Sequence, residues 1–246
     1  MNYADWKRVY IDRTLTLKEW KNRRERGKMG TADKPQWRPK NKNNILKKDE
    51  YKKLREFAQA NGIDLSGVKN FDGSPDTIRE AIQTRIDLRS KFPDVADEKH
   101  KLTLGLTSHL RAEDFASTNG RVIELNENAY RDVKLLHDEY QKSVNKGWFV
   151  KGTDYRAIIH HEFGHTVADV YKIDPLKIAC EITGLSRLRV IDFVKEHLSK
   201  YAGEFKNGQE IIAEVFADMT TANPDEFSLK FYDKVLEIVG GKGNEQ

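Results

Sequence analysis

The chain of 246 residues has one cysteine, Cys180, so no disulfide can form within it and a cysteine-rich metal site is excluded. Cys180 follows Ile178-Ala179 and reads as a small buried hydrophobe. No apolar run approaches the roughly 18 residues that a membrane-spanning helix needs. The opening M-N-Y-A-D has no basic stretch followed by an apolar one, so no secretory leader is expected. The expected location is cytoplasmic or virion-associated. There is no internal repeat.

Charge is abundant but unevenly spread. Residues 1–60 hold 18 Lys and Arg against 8 Asp and Glu, a balance of +10. The remaining residues hold 25 against 31, a balance of −6. The basic part is a candidate for contact with nucleic acid or an acidic partner. A solvated arm explains it equally simply.

Residues 1–27 read as a charged helix with an incomplete stripe of Tyr3, Trp6, Tyr10, Leu17 and Trp20. Residues 28–44, rich in Pro, Gly and Asn, read as a linker. Asp49 to Ala60 reads as a short amphipathic helix stopped by Asn61-Gly62, and Ser74-Pro75-Asp76 starts a second that runs to about Lys91. Character changes near residue 99. Lys101–Leu106 and Arg121–Leu125 read as strands around a polar loop with Asn119-Gly120 as its turn. Asn126 to Asn145 reads as one helix. Four helices are expected after Tyr171, starting near Asp174-Pro175, Ser186, Gln209 and Asn223-Pro224. The division expected is residues 1–98 as a basic, mostly helical region and 99–246 as a second domain. The fold class expected is α+β, mostly helical, with a short sheet.

Within residues 155–171, which carry no proline, stands His161-Glu162-Phe163-Gly164-His165. On a helix, residues four apart lie one above the other, so two imidazoles can reach one metal ion while Glu162 holds a water beside it. Two histidines do not complete such a site. A catalytic zinc needs a third protein ligand and an open position. The six residues after His165, T-V-A-D-V-Y, contain neither glycine nor histidine, so a third histidine is not supplied there. A later helix, Q-E-I-I-A-E-V-F-A-D, places Glu210, Glu214 and Asp218 at intervals of four. An ordinary solvated acidic face has this pattern too. As a metal site it offers one ligand and one acid that orients a histidine. Spacing permits Glu210 with Glu214, or Glu214 with Asp218. His160 points elsewhere on its helix, and His100, His109 and His137 lack partners at ligand spacing. His197, near Tyr201, is a candidate supporting residue.

The pair H-E-F-G-H and E-I-I-A-E-V-F-A-D resembles the protease domain of anthrax toxin lethal factor and its relatives, among them phage-encoded metallopeptidase domains. The likeness covers about residues 155–240, is weaker over 99–154, and says little of 1–98. The opening N-Y-A-D-W-K-R-V-Y-I is similar to the segment after the head-morphogenesis domain of phage minor head proteins. The resemblance implies a zincin fold of the gluzincin type, with Zn2+ held by His161, His165 and Glu210. It implies that Glu214 orients a histidine and that Tyr201 stabilises the oxyanion, although the gap from Tyr201 to Glu210 is longer than in the toxin. The activity implied is zinc-dependent endopeptidase action on a peptide or protein substrate, with Glu162 as general base. By family analogy, Arg121–Leu125 is the expected edge strand on which the peptide lies. The alternative is a catalytically silent virion or toxin binding module that keeps the fold.

Overall fold

The structure is a computed structural model that describes residues 35–41, 45–96, 100–204 and 208–242. The helix expected over 1–27 lies outside the described residues. Residues 37–246 fall in one compact unit. Its architecture is α+β and mostly helical, as expected.

The first helix, α1 (Lys48–Ala60), starts where the Glu50 carboxylate accepts the Lys47 N–H at 3.0 Å. It stops at Asn61-Gly62, where Gly62 has φ +70°, a left-handed conformation that suits glycine. Strand β1 (Ile63–Ser66) follows, then α2 (Pro75–Lys91). Ser74 caps α2 by accepting the Asp76 N–H at 3.2 Å, with Pro75 in the first turn. Next come β2 (Leu102–Thr107), β3 (Ala116–Asn119) and β4 (Val122–Asn126). The sheet order is β1-β2-β4-β3. β1 and β4 run parallel to β2, and β3 runs antiparallel to β4.

Two expectations are corrected here. The boundary at 98/99 falls inside the sheet, because β1 pairs with β2 along Ile63 to Ser66. Ile63, Ile78, Phe92 and Val95 share one buried core with Phe163 and Phe216 of the later helices. Phe92 lies 5.9 Å from Phe163 and 5.5 Å from Phe216, ring centre to ring centre. Arg85, fully buried on α2, donates to the carbonyls of Thr103 and Arg121. The second correction concerns the edge. Arg121–Leu125 forms most of β4, which is paired on both sides, so its backbone groups are already satisfied. Among the described residues, the edge strands are β1 and β3.

Of the expected linker, residues 28–34 and 42–44 lie outside the described residues, and residues 37–41 are anchored. Trp37 donates its indole N–H to the Ala112 carbonyl at 2.8 Å. Arg38 and Lys40 pair with Asp72 and Glu127, at 3.4 and 2.6 Å, and the Asn41 N–H bonds Asp72 at 2.6 Å. Asp72 in turn meets the buried Arg131 guanidinium at 2.7 Å. Two cations of the basic N-terminal excess are therefore spent on carboxylates of the same body.

The helix expected over Asn126–Asn145 is broken into α3 (Glu127–Tyr130) and α4 (Val133–Asn145), because Asp132 leaves the helical conformation and caps α4 by accepting the Leu135 N–H at 3.1 Å. The remaining helices are α5 (Ala157–Tyr171), α6 (Pro175–Thr183), α7 (Arg187–His197), α8 (Gln209–Asp218) and α9 (Glu226–Lys242). Among the described residues, no helix is long and apolar enough to cross a membrane.

α5 packs against β3 and β4 on one side and most extensively against α8 on another. Every residue of α8 from Glu210 to Asp218 is buried. At the crossing the two backbones almost touch. A Cβ on Gly164 would lie 2.9 Å from the Ala213 Cα and 3.1 Å from the Ile212 carbonyl oxygen. Neither is the end of a flexible side chain, so a larger residue must drive the helices apart. Gly164→Ala should therefore cost about 1–3 kcal/mol despite alanine's better helix propensity. Denaturant unfolding measures it; an unchanged or raised midpoint would mean the joint has slack.

Candidate metal centre

His161, Glu162 and His165 lie in the middle of α5, where the helix is held by its apolar neighbours Ile158, Ile159, Phe163 and Val167. Glu210 and Glu214 lie one turn apart on α8, whose other residues bury Ile211, Ile212, Val215 and Phe216. The Gly164 crossing brings these two polar strips together.

Glu210 Oε2 is 3.3 Å from His161 Nε2 and 3.2 Å from His165 Nε2. Within one group, His161, His165 and Glu210 offer ligand atoms that all lie within 4.8 Å of one another. Ligand atoms about 2.0–2.1 Å from a tetrahedral ion lie about 3.3 Å from each other. The two measured edges match that figure. Although buried between two imidazoles, Glu210 Oε2 has no aligned hydrogen-bond partner. A buried carboxylate oxygen without one is rare and costly. A divalent cation bound by all three atoms would satisfy it, and the nitrogen and oxygen donor set suits such an ion.

Glu214, almost fully buried, meets the other nitrogen of the same ring, with Oε1 2.9 Å from His161 Nδ1. This contact fixes the ring and leaves Nε2 facing Glu210, as a carboxylate behind a metal-binding histidine does. Asp218 is used otherwise. Its carboxylate accepts the Asp225 N–H at 2.9 Å and holds the turn before α9. Of the two pairings that spacing allows, the fold thus brings Glu210 and Glu214 to the histidines.

The charges respond to one another. Burial opposes ionisation of Glu210, but His165 and His161 overcome it and hold the carboxyl down to about 2. Burial likewise opposes charge on His161, but the facing Glu210 and Glu214 raise its pKa well above the usual imidazole value.

Tyr201 also reaches the site. Its ring centre is 5.6 Å from that of His161, tilted by 32°, and its far side rests edge-on against Phe149 at 5.9 Å. The Tyr201 N–H bonds the Trp148 carbonyl at 3.2 Å, which ties this turn to the loop before α5. The negative charge of Glu210, then burial, then Glu162 and Glu214 raise the phenol pKa well above its ordinary value. The hydroxyl therefore remains a proton donor through the neutral range.

Other histidines take no part. His160 lies in reach of Lys91 and Asp87 of α2, and burial with the Lys91 charge pulls it down to about 4. His197 is exposed and stacks on Phe193 at 4.1 Å. His137 packs edge-on against Tyr155.

Sequence reasoning missed one polar neighbour. The Thr118 hydroxyl of β3 hydrogen-bonds the Glu162 carboxylate and lies 3.1 Å from the Glu162 carbonyl oxygen. The stretch A-S-T-N that forms β3 has no large apolar residue to mark it as a strand. No protein-family model, no curated protein and no solved structure matches the chain.

The arrangement ranks the two acids. Removing the Glu210 carboxylate deletes a proposed ligand, whereas removing Glu214 only frees a ring. Glu214→Ala should lower divalent-metal affinity about 10–100-fold, and Glu210→Ala by more. Titration of zinc against a competing chelator reads both; the reverse order would give the ligand role to Glu214.

Proposed function

We propose that the protein is a zinc-dependent endopeptidase. One observation supports this reading above the rest: a buried carboxylate oxygen of Glu210 stands 3.2–3.3 Å from two imidazole nitrogens with no aligned donor, beside a second acid that is not a ligand. That second acid is Glu162. His161, His165 and Glu210 would hold the ion. Zinc bound by three such ligands supplies a Lewis acid that brings the pKa of water down toward about 7.

The chain's own residues carry the remaining steps. Glu162, 8% exposed, is sheltered from bulk water and projects from a neighbouring angle of α5, about 100° round from His161 and about 60° from His165. It takes the proton of the water that attacks a peptide carbonyl and returns it to the leaving amine. The Tyr201 hydroxyl, kept protonated, donates to the oxygen on which charge develops. Glu214 holds His161 in register throughout.

The unpaired side of β3 supports the choice of an extended peptide as substrate. Among the described residues β3 pairs with β4 alone, so one row of its backbone groups is available for strand addition. This edge replaces the one expected at Arg121–Leu125, and it lies directly over α5.

Glu162→Ala should retain the metal and lower peptide hydrolysis by at least 100-fold. Hydrolysis at the wild-type rate would remove Glu162 as the base. A wild-type protein that keeps its metal but cleaves no peptide in a diverse library would instead be the binding module. Tyr201→Phe should lower kcat about 10–1000-fold with KM and metal content little changed. Full activity would take Tyr201 out of the chemistry.

A further inference from the structure

Thr118 is a half-buried polar residue whose neighbours on its face of the sheet are apolar. It lies on β3 with its side chain on the same face as Ala116, which packs against the core, and opposite Ile123, which is fully buried. Valine fits that position equally well in shape and has the stronger strand preference of a fully apolar residue. A hydroxyl there is costly unless it is hydrogen-bonded. Two acceptors face it, both from Glu162 on α5: the carboxylate and the backbone carbonyl at 3.1 Å. One hydroxyl carries one proton, so it can donate to only one of them at a time. The carbonyl already faces Thr166, whose hydroxyl lies at 3.4 Å one helical turn on. A hydrogen bond to an ionised carboxylate is roughly twice as strong as one to a neutral oxygen.

We propose that Thr118 is the positioning residue of Glu162: its hydroxyl, donated to the Glu162 carboxylate, holds the base in the orientation that hydrolysis requires. A glutamate side chain has several rotamers, and a base must be held within about 0.5 Å of its working position. Thr118 fixes one carboxylate oxygen and leaves the other for the water. The strand that holds the base is also the strand whose open side would seat the peptide. Base and substrate are thus referenced to one rigid element. The positioning role rests on the peptidase reading; the hydrogen bond itself does not.

A double-mutant cycle separates these two. Thr118→Val, Thr118→Ser, Glu162→Ala and Thr118→Val/Glu162→Ala are compared with wild type by thermal unfolding, without reference to activity. In the Glu162 background, Thr118→Val should lower the melting temperature by about 3–6 °C relative to its effect in the Glu162→Ala background. Equal shifts in the two backgrounds would mean that the hydroxyl bonds the backbone carbonyl, and would overturn the proposal. In a peptide-cleavage assay, Thr118→Val should lower kcat about tenfold with KM and zinc content unchanged, and Thr118→Ser should restore most of the loss. A Thr118→Val protein with wild-type kcat would also overturn it. If the wild-type protein cleaves nothing, the fault lies with the peptidase reading, and the thermal cycle alone decides for Thr118.

Discussion

The near-contact of α5 and α8 at Gly164 and Ala213 governs the geometry of the His161, His165, Glu210 and Glu214 cluster. Glutamate side chains are short. For Glu210 to reach two histidines and for Glu214 to reach the back of one, the helix backbones must approach closely. A glycine facing an alanine permits that, with a hypothetical Cβ only 2.9 Å from the opposing backbone. The apolar residues around the crossing supply the burial that holds the helices there, and Phe92, Phe163, Phe216 and Tyr232 form a connected aromatic patch beneath it.

That close packing has an electrostatic consequence. It takes the Glu210 and Glu214 carboxylates out of water, at several kcal/mol per ion. Ion pairing repays part of this, as the depressed Glu210 and raised His161 pKa values show. Pairing does not repay all of it. Glu210 Oε2 and Glu214 Oε2 are both buried without an aligned donor. Ordinary cores avoid such oxygens, and an apolar residue at either position would make α8 more stable as a packing element. The arrangement is intelligible if stability is not what selects these residues. Three candidate ligand atoms, two of whose separations match a tetrahedral edge, and one acid behind a ligand ring are what the proposed chemistry asks for.

The site was more legible in the sequence than the fold around it. Spacing of four on a helix is a strong signal, so His161 with His165 could be read directly, and Glu210, Glu214 and Asp218 as one acidic stripe. Periodicity alone could not separate Glu210 and Glu214 from Glu214 and Asp218, since all three lie on one stripe. Only the turn before α9, which takes the Asp218 carboxylate for the Asp225 N–H, decides between them. Strands were harder. β1, Ile63-Asp64-Leu65-Ser66, alternates but is only four residues long, and β3 has no bulky apolar residue to mark it. Missing β1 led to a domain boundary at residue 98 that parallel pairing with β2 removes. Missing β3 led to the wrong edge strand and concealed Thr118. Parallel pairing and edge position depend on contacts between distant segments, which local pattern does not encode. The prolines and asparagines of residues 28–44 read as a linker for the same reason: the partners that anchor residues 37–41, Asp72, Ala112, Glu127 and Arg131, lie far along the chain.

The central claim is that α5 and α8 together hold one metal ion, and the metal content of the purified protein tests it most directly. The chain is freed of loosely bound ions, and its metals are counted by mass spectrometry before and after zinc is restored and the excess dialysed away. About one zinc per chain is expected, lost in the His161→Ala protein. A wild-type chain that retains no zinc after restoration would contradict it.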